Sequence, residues 1–325
     1  MLLTRRHTLK LAGISCAASA LANAVHAEGG AVPPPATNAL PFALTTPMHV
    51  GEAALKVRDI DAMQAFYHSV LGLREIEQTA RGLTLGVNGT PLLHLVHKPA
   101  ADFESPTSAG LFHIAYLMPT RKDLARWLVH AATTQVPLTG FADHNVSEAI
   151  YLNDPEGNGI EVYSDRPREQ WIWTDEVVKM GTEQLDIDDL VSLTNIRKDD
   201  YEIAPEALRI GHIHLKVGEI AAARAFYEEA VGLQSTRAER SDASFLSSGR
   251  YHHHLAVNIW NSKGAKERNT AETGLDWFSL SVRNAADLEA QKERLRKAGY
   301  VLVEMESGAV EAIDPWGTRL RLMPA

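Results

Sequence analysis

The chain repeats itself at a fixed interval, and this limits its architecture more than any other feature. Gly51-Glu52-Ala53-Ala54-Leu55-Lys56-Val57 recurs as Gly211-His212-Ile213-His214-Leu215-Lys216-Val217, and Ala65-Phe66-Tyr67 as Ala225-Phe226-Tyr227. Asp154-Pro155-Glu156-Gly157 recurs as Asp314-Pro315-Trp316-Gly317, again 160 positions later. A constant offset over so long a span marks duplicated halves, 49–163 and 210–325, each of which must supply an equivalent fold.

Each half divides again. In the first unit an alternating strand over 53–57 leads into a helix starting near Asp59, with Ile60, Met63, Phe66, Tyr67 and Val70 at helical spacing and Gly72 as its stop. β-rich runs over 75–79, 83–87 and 92–96 complete a βαβββ unit. The second unit has strands over 111–117, 136–138, 149–152 and 160–163 and a helix over 121–132. Its Asp154-Pro155-Glu156-Gly157 string forms the turn before the last strand. Units three and four repeat the pattern from Ile210 and Leu275. The fold class is therefore α+β, with Phe66, Tyr67, Phe226 and Tyr227 in the core. The stretch 164–209 breaks the rhythm, and with Trp171, Trp173 and a short helix over 183–193 it reads as a connector.

Residues 1–27 are expected to be processed away. Arg5-Arg6 precedes an Ala-rich apolar stretch, and Val25-His26-Ala27 is a small-x-small cleavage site, the features of a twin-arginine export leader. The twin-arginine translocase would be a transient partner and the periplasm the destination. Residues 28–48, rich in Pro and Ala, read as an extended linker. No later apolar run reaches the roughly 18 residues that span a bilayer, so no stable membrane anchor is expected. Lys+Arg total 32 against Asp+Glu 41, a net charge of -9 that argues against a nucleic-acid partner. The leader carries three of the cations and no acid, so the mature chain is more acidic still. Cys16, the only cysteine, is also in the leader. Any metal in the mature protein must rest on His, Asp and Glu.

The strings Gly110-Leu111-Phe112-His113, Gly159-Ile160-Glu161-Val162-Tyr163, Gly211-His212-Ile213-His214-Leu215 and Tyr251-His252-His253-His254-Leu255 carry a resemblance. With four βαβββ units, the chain over about 49–325 resembles the vicinal oxygen chelate superfamily, which includes glyoxalase I, bleomycin-binding proteins and extradiol ring-cleaving dioxygenases. It is most similar to the catechol 2,3-dioxygenase-like (CatE-type) proteins. The resemblance implies two modules of paired units, with metal ligands from the first and last strand of each unit. Those positions are Ala54 and His94, His113 and Glu161, His214 and His254, and Trp277 and Arg321. If units pair in order, His94, His113 and Glu161 meet. If units two and three pair, His113, Glu161 and His214 form a set with His254 nearby. The second pairing leaves fewer ligands unexplained and is the expectation.

Two imidazoles and a carboxylate with open positions suit non-haem Fe(II), with Mn(II), Ni(II) or Zn(II) as alternatives. The implied reaction is extradiol cleavage of a small catecholic substrate by O₂. His254 would be a fourth ligand or the acid–base group, and His144 a second base or part of a polar turn. The competing readings are a glyoxalase-like enzyme and a metal-free module that binds a small aromatic molecule.

Overall fold

The computed structural model describes residues 40–195 and 201–324. The expected leader and residues 28–39 of the expected linker lie outside the described residues. Among the described residues, two eight-stranded mixed sheets account for most of the fold, together with five α-helices of 5 to 13 residues. Among the described residues no helix is long and apolar enough to cross a membrane.

Units two and three share one sheet. Its strand order is Gln234–Ser235, Ala243–Ser247, Leu255–Asn258, Arg209–Lys216, Gly110–Leu117, Gly159–Asp165, Ser147–Asn153, Leu138–Asp143. The central joint is antiparallel, between Arg209–Lys216 and Gly110–Leu117. Units one and four build the other sheet in the same way, joined by Met48–Val57 against Gly274–Val282. Each sheet thus takes one unit from each duplicated half.

The recurring Ala-Phe-Tyr and Asp-Pro-x-Gly strings bind each other. Asp59 caps the helix Ile60–Leu71 by accepting from the Ala62 amide, and Gly72 ends it in the left-handed conformation at φ 71°. On its buried face Tyr67 donates to Asp154 at 3.0 Å, just as Tyr227 donates to Asp314 at 2.8 Å. The aspartates also accept the turn amides of residues 156 and 158, and of 316 and 318. Helix and turn are therefore stitched within each half, while the sheets are shared between halves. The two tyrosines are core residues, as expected from their spacing, and each also carries a buried hydrogen bond.

Two expectations shift. The folded chain begins before residue 49: Phe42–Thr45 forms a 3-10 turn, Ala43 is buried, and Phe42 packs against Trp171 and Tyr251. The third unit's first helix is short, Ile220–Arg224, and continues as a π-turn over Ala225–Ala230.

The connector closes the sheet of units two and three on itself. Val178 donates to the Thr236 carbonyl beyond one edge strand, while Glu183 and Asp143 exchange backbone hydrogen bonds at the other edge. Five residue steps span at most about 17 Å, whereas eight flat strands would hold the two edges about 34 Å apart. The sheet must therefore curl into a trough, with the connector as a strap across its mouth.

Candidate metal centre

Three strands of this trough place three ligand-type side chains in contact. Ala115 is level with Glu161 on the neighbouring parallel strand and with His212 on the neighbouring antiparallel strand. His113, two residues before Ala115, shares its face. The methyl of Ala115 leaves room for Glu161 and His212 to reach over it, and His113 leans in beside them. His113 Nε2 lies 3.0 Å and His212 Nε2 3.3 Å from Glu161 Oε2, and the two Nε2 atoms are 3.3 Å apart. All three residues are buried.

These separations fit ligand atoms about 2.0–2.2 Å from one shared divalent ion. Burial pushes the Glu161 carboxyl up, but the charges and hydrogen bonds of His212 and His113 more than offset it and hold it well below the usual carboxylate range. Burial pushes the His212 imidazole down to about 4, against the pull of Glu161. A neutral imidazole beside an ionised carboxylate near pH 7 is the protonation state that binds a cation. The residues therefore fit a divalent metal.

A cavity of about 640 Å³ opens onto the three ligands, a size suited to a small organic molecule. Phe112, Phe245 and Trp260 give it an aromatic wall, and His144, Tyr151, His253 and Arg237 add polar groups. His144 Nδ1 lies 2.7 Å from the Gly181 carbonyl, and that oxygen can only accept, so Nδ1 carries the proton. His144 Nε2 then accepts from the Tyr151 hydroxyl at 2.7 Å. Burial, and after it the charge of Glu161, keeps the Tyr151 phenol well above its ordinary pKa. His253 packs its ring 4.2 Å from that of His212. Burial holds it well below the usual histidine pKa, hence as the free base.

The structure joins some of the expected residues and separates others. His113 and Glu161 meet, and His144 reaches the cavity. His214 does not complete the metal set: it lies level with His113, one row away from Glu161, and its Nε2 accepts from Asn258 at 2.9 Å. His212 takes that place. His254 does not reach the centre either. Its Nε2 faces the Ala43 carbonyl at 3.0 Å, and its Nδ1 faces Ser247 Oγ at 3.1 Å and the Ser248 amide at 3.3 Å.

The reason lies in the backbone. Strand pairing begins only at Leu255, after a bend in which Gly249 and Arg250 have positive φ. Side-chain alternation therefore cannot be extended back through 252–254, and His253, not His254, enters the cavity. Trp171 packs the connector against Phe42, Tyr251 and His252 and does not line the cavity.

Tyr151, His253 and Arg237 were not expected as site residues. Tyr151 was legible in principle: a hairpin about the Asp154 turn places it directly opposite Glu161.

The other sheet shows the same positions without a ligand set. Trp277 and Arg321 stand where His113 and Glu161 stand, and Glu52 where His212 stands. The Arg321 guanidinium lies 3.9 Å over the Trp277 ring and pairs with Glu311, while Glu52 pairs with His94. His94 is thus engaged in the other module, apart from His113.

The model of the Glyoxalase/Bleomycin resistance protein/Dioxygenase superfamily matches residues 49–162 and 209–321. A catechol-2,3-dioxygenase of Bacillus subtilis (strain 168) is 34% identical over 263 residues, spanning 80% of this chain and 91% of its own. Among solved structures, a putative dioxygenase from Bacillus subtilis subsp. subtilis str. 168 superposes with a TM-score of 0.60 at 13% identity, covering 86% of each chain. Glyoxalase I from Zea mays gives 0.53 at 14% identity over 87% of this chain and 94% of its own. These two likenesses speak to the fold.

Proposed function

The chain belongs to the glyoxalase/bleomycin resistance protein/dioxygenase superfamily, and from that premise we propose that it is an exported extradiol dioxygenase. It would cleave a small catecholic ring with O₂ at a His113–Glu161–His212 centre holding Fe(II), or Mn(II) in its place. The observation that carries the reading is the buried two-imidazole, one-carboxylate set opening onto a cavity with an aromatic wall. Bound there, such a metal would supply Lewis-acid activation of a catecholate and a route for electrons from it to O₂.

The chain's own residues do the rest. Phe112, Phe245 and Trp260 hold an aromatic ring and exclude water from it. His253, neutral and packed against His212, is positioned to take a proton from the substrate. His252 orients it: the two Nδ1 atoms are 2.9 Å apart, and His252 Nε2 is 2.8 Å from Asp165. Tyr151 donates to His144, so as the hydroxyl takes a proton from the substrate its own proton can pass to the His144 Nε2. His253 and the Tyr151–His144 pair thus take the acid–base role that His254, enclosed by its own partners, cannot.

Export is part of the same proposal and is supported by the leader's sequence alone. Replacing Arg5 and Arg6 together by Lys should leave the precursor in the cytoplasm, and unchanged secretion of that variant would refute the twin-arginine route.

The decisive experiment is metal analysis by mass spectrometry of mature protein purified without oxygen, followed by a ring-cleavage assay on catechol. About one iron or manganese per chain with ring opening supports the reading. Nickel or zinc without ring opening would move it to glyoxalase-type chemistry.

A further inference from the structure

Two arginines line the cavity, Arg237 and Arg240, and the ring-cleavage reading uses neither. Arg237 is half-buried, with its guanidinium 5.0 Å over the Phe245 ring. Among the described residues its hydrogen-bond acceptor is the Met180 carbonyl at 2.9 Å, in the strap, and it has no carboxylate at ion-pair distance. Arg240 lines the same cavity but has its counter-charge at hand, because Asp242 pairs with it at 2.9 Å. Five guanidinium donors with one neutral acceptor leave most of the hydrogen-bonding capacity free, and removing that charge from water without a counter-charge is unfavourable. The protein is acidic overall, so a positive cavity wall is a local feature and not part of a basic surface.

The place of this cation suggests what it meets. Phe245, beneath Arg237, packs 5.3 Å from His253, and His253 packs 4.2 Å from the ligand His212. Three successive contacts, Arg237 to Phe245, Phe245 to His253 and His253 to His212, therefore link the guanidinium to the metal set along one wall. A bound aromatic ring that presents two oxygens to the metal set would direct its far substituent toward the arginine.

We propose that the substrate is a catechol bearing a carboxylate on a short side chain, with Arg237 as the group that binds the carboxylate. This rests on the ring-cleavage reading for the catechol half and on Arg237 alone for the anion half. A charge-assisted pair of this kind separates an acid from its neutral amide by roughly 10- to 100-fold in affinity.

The test is calorimetric binding of 3,4-dihydroxyphenylacetate and of its amide to the metal-loaded mature protein, beside ring-cleavage assays on both. The acid should bind roughly 10- to 100-fold more tightly than the amide. Arg237→Gln should abolish that ratio while leaving amide affinity within about threefold, Arg237→Lys should keep part of it, and Arg240→Gln should leave it intact. Equal binding of acid and amide by the native protein would overturn the proposal, as would an equal loss for both ligands in Arg237→Gln. Selective, Arg237-dependent binding of the acid without ring opening would refute the dioxygenase reading and leave the anion site standing.

Discussion

His212 lies directly across the antiparallel joint from Ala115, and Ala115 lies level with Glu161 on its other side. The smallest side chain in the row therefore stands between two ligands that must touch the same ion. A larger side chain at 115 would occupy the ion's place without altering any ligand. Ala115→Leu should fold with a loss of about 1–3 kcal/mol from overpacking and should retain less than a tenth of the native metal, measured by mass spectrometry of the purified protein. Full metal content in that variant would contradict this packing.

The two histidines of the Gly-His-Ile-His string should separate cleanly. His212→Ala removes a ligand and should lower metal affinity by more than the ~10–100-fold typical of an outer-shell change. His214→Ala loses the bond to Asn258 and ring contacts with Phe112, His113 and Trp260 but no metal ligand, and should keep metal near one per chain. Thermal unfolding with and without added Mn(II) reads the same difference: native protein and His214→Ala should gain stability by mass action, and His212→Ala should not.

Much of the fold was legible because its signals are local or periodic. The 160-residue offset, the helix spacing of Met63, Tyr67 and Val70, and the Asp-Pro-x-Gly turns each depend on a few neighbouring residues. The concentration of ligand-type residues in units two and three also pointed to the sheet in which they meet. The choice of His212 over His214 was not legible, since both face the same way and only the register across the joint decides between them. That register contains irregularities between Ile210 and His212 and between His214 and Leu215, which no spacing rule reveals. His254 misses the centre for a related reason: it precedes the strand that begins at Leu255, after a bend in which side-chain alternation does not hold. Arg237 enters the cavity from the bend after the edge strand Gln234–Ser235, distant in sequence from every ligand, so nothing local marks it.

His254 makes a prediction about acid stability. Burial, partly offset by the hydrogen bond to the Ala43 carbonyl, pushes its imidazole from the ordinary 6.5 down to about 3. The folded group stays neutral where the unfolded one takes up a proton. Its contribution is therefore intact above about pH 6.5 and is lost as pH falls from there toward about 3, at about 1.4 kcal/mol per pH unit. Urea unfolding of metal-free protein between pH 7 and 4.5 should show this slope, and His254→Gln should be less steep by one proton's worth. Identical slopes would mean that the imidazole is not held neutral.

Tyr151 and His144 should affect turnover without affecting metal. Neither belongs to the metal set, and their mutual bond faces the cavity that the metal set opens onto. Tyr151→Phe keeps the ring and its packing against His113 but removes the proton that His144 accepts. If that proton serves the reaction, kcat should fall by roughly 10²–10⁴, with metal content unchanged and the binding of a catecholic inhibitor within a few-fold of native. His144→Gln should reproduce much of this loss, and the double variant should be little worse than either single one, because the two groups act as a unit. Independent, multiplying losses would show that the hydroxyl and the imidazole serve separate purposes, and a normal kcat in Tyr151→Phe would leave His253 as the proton-transfer group.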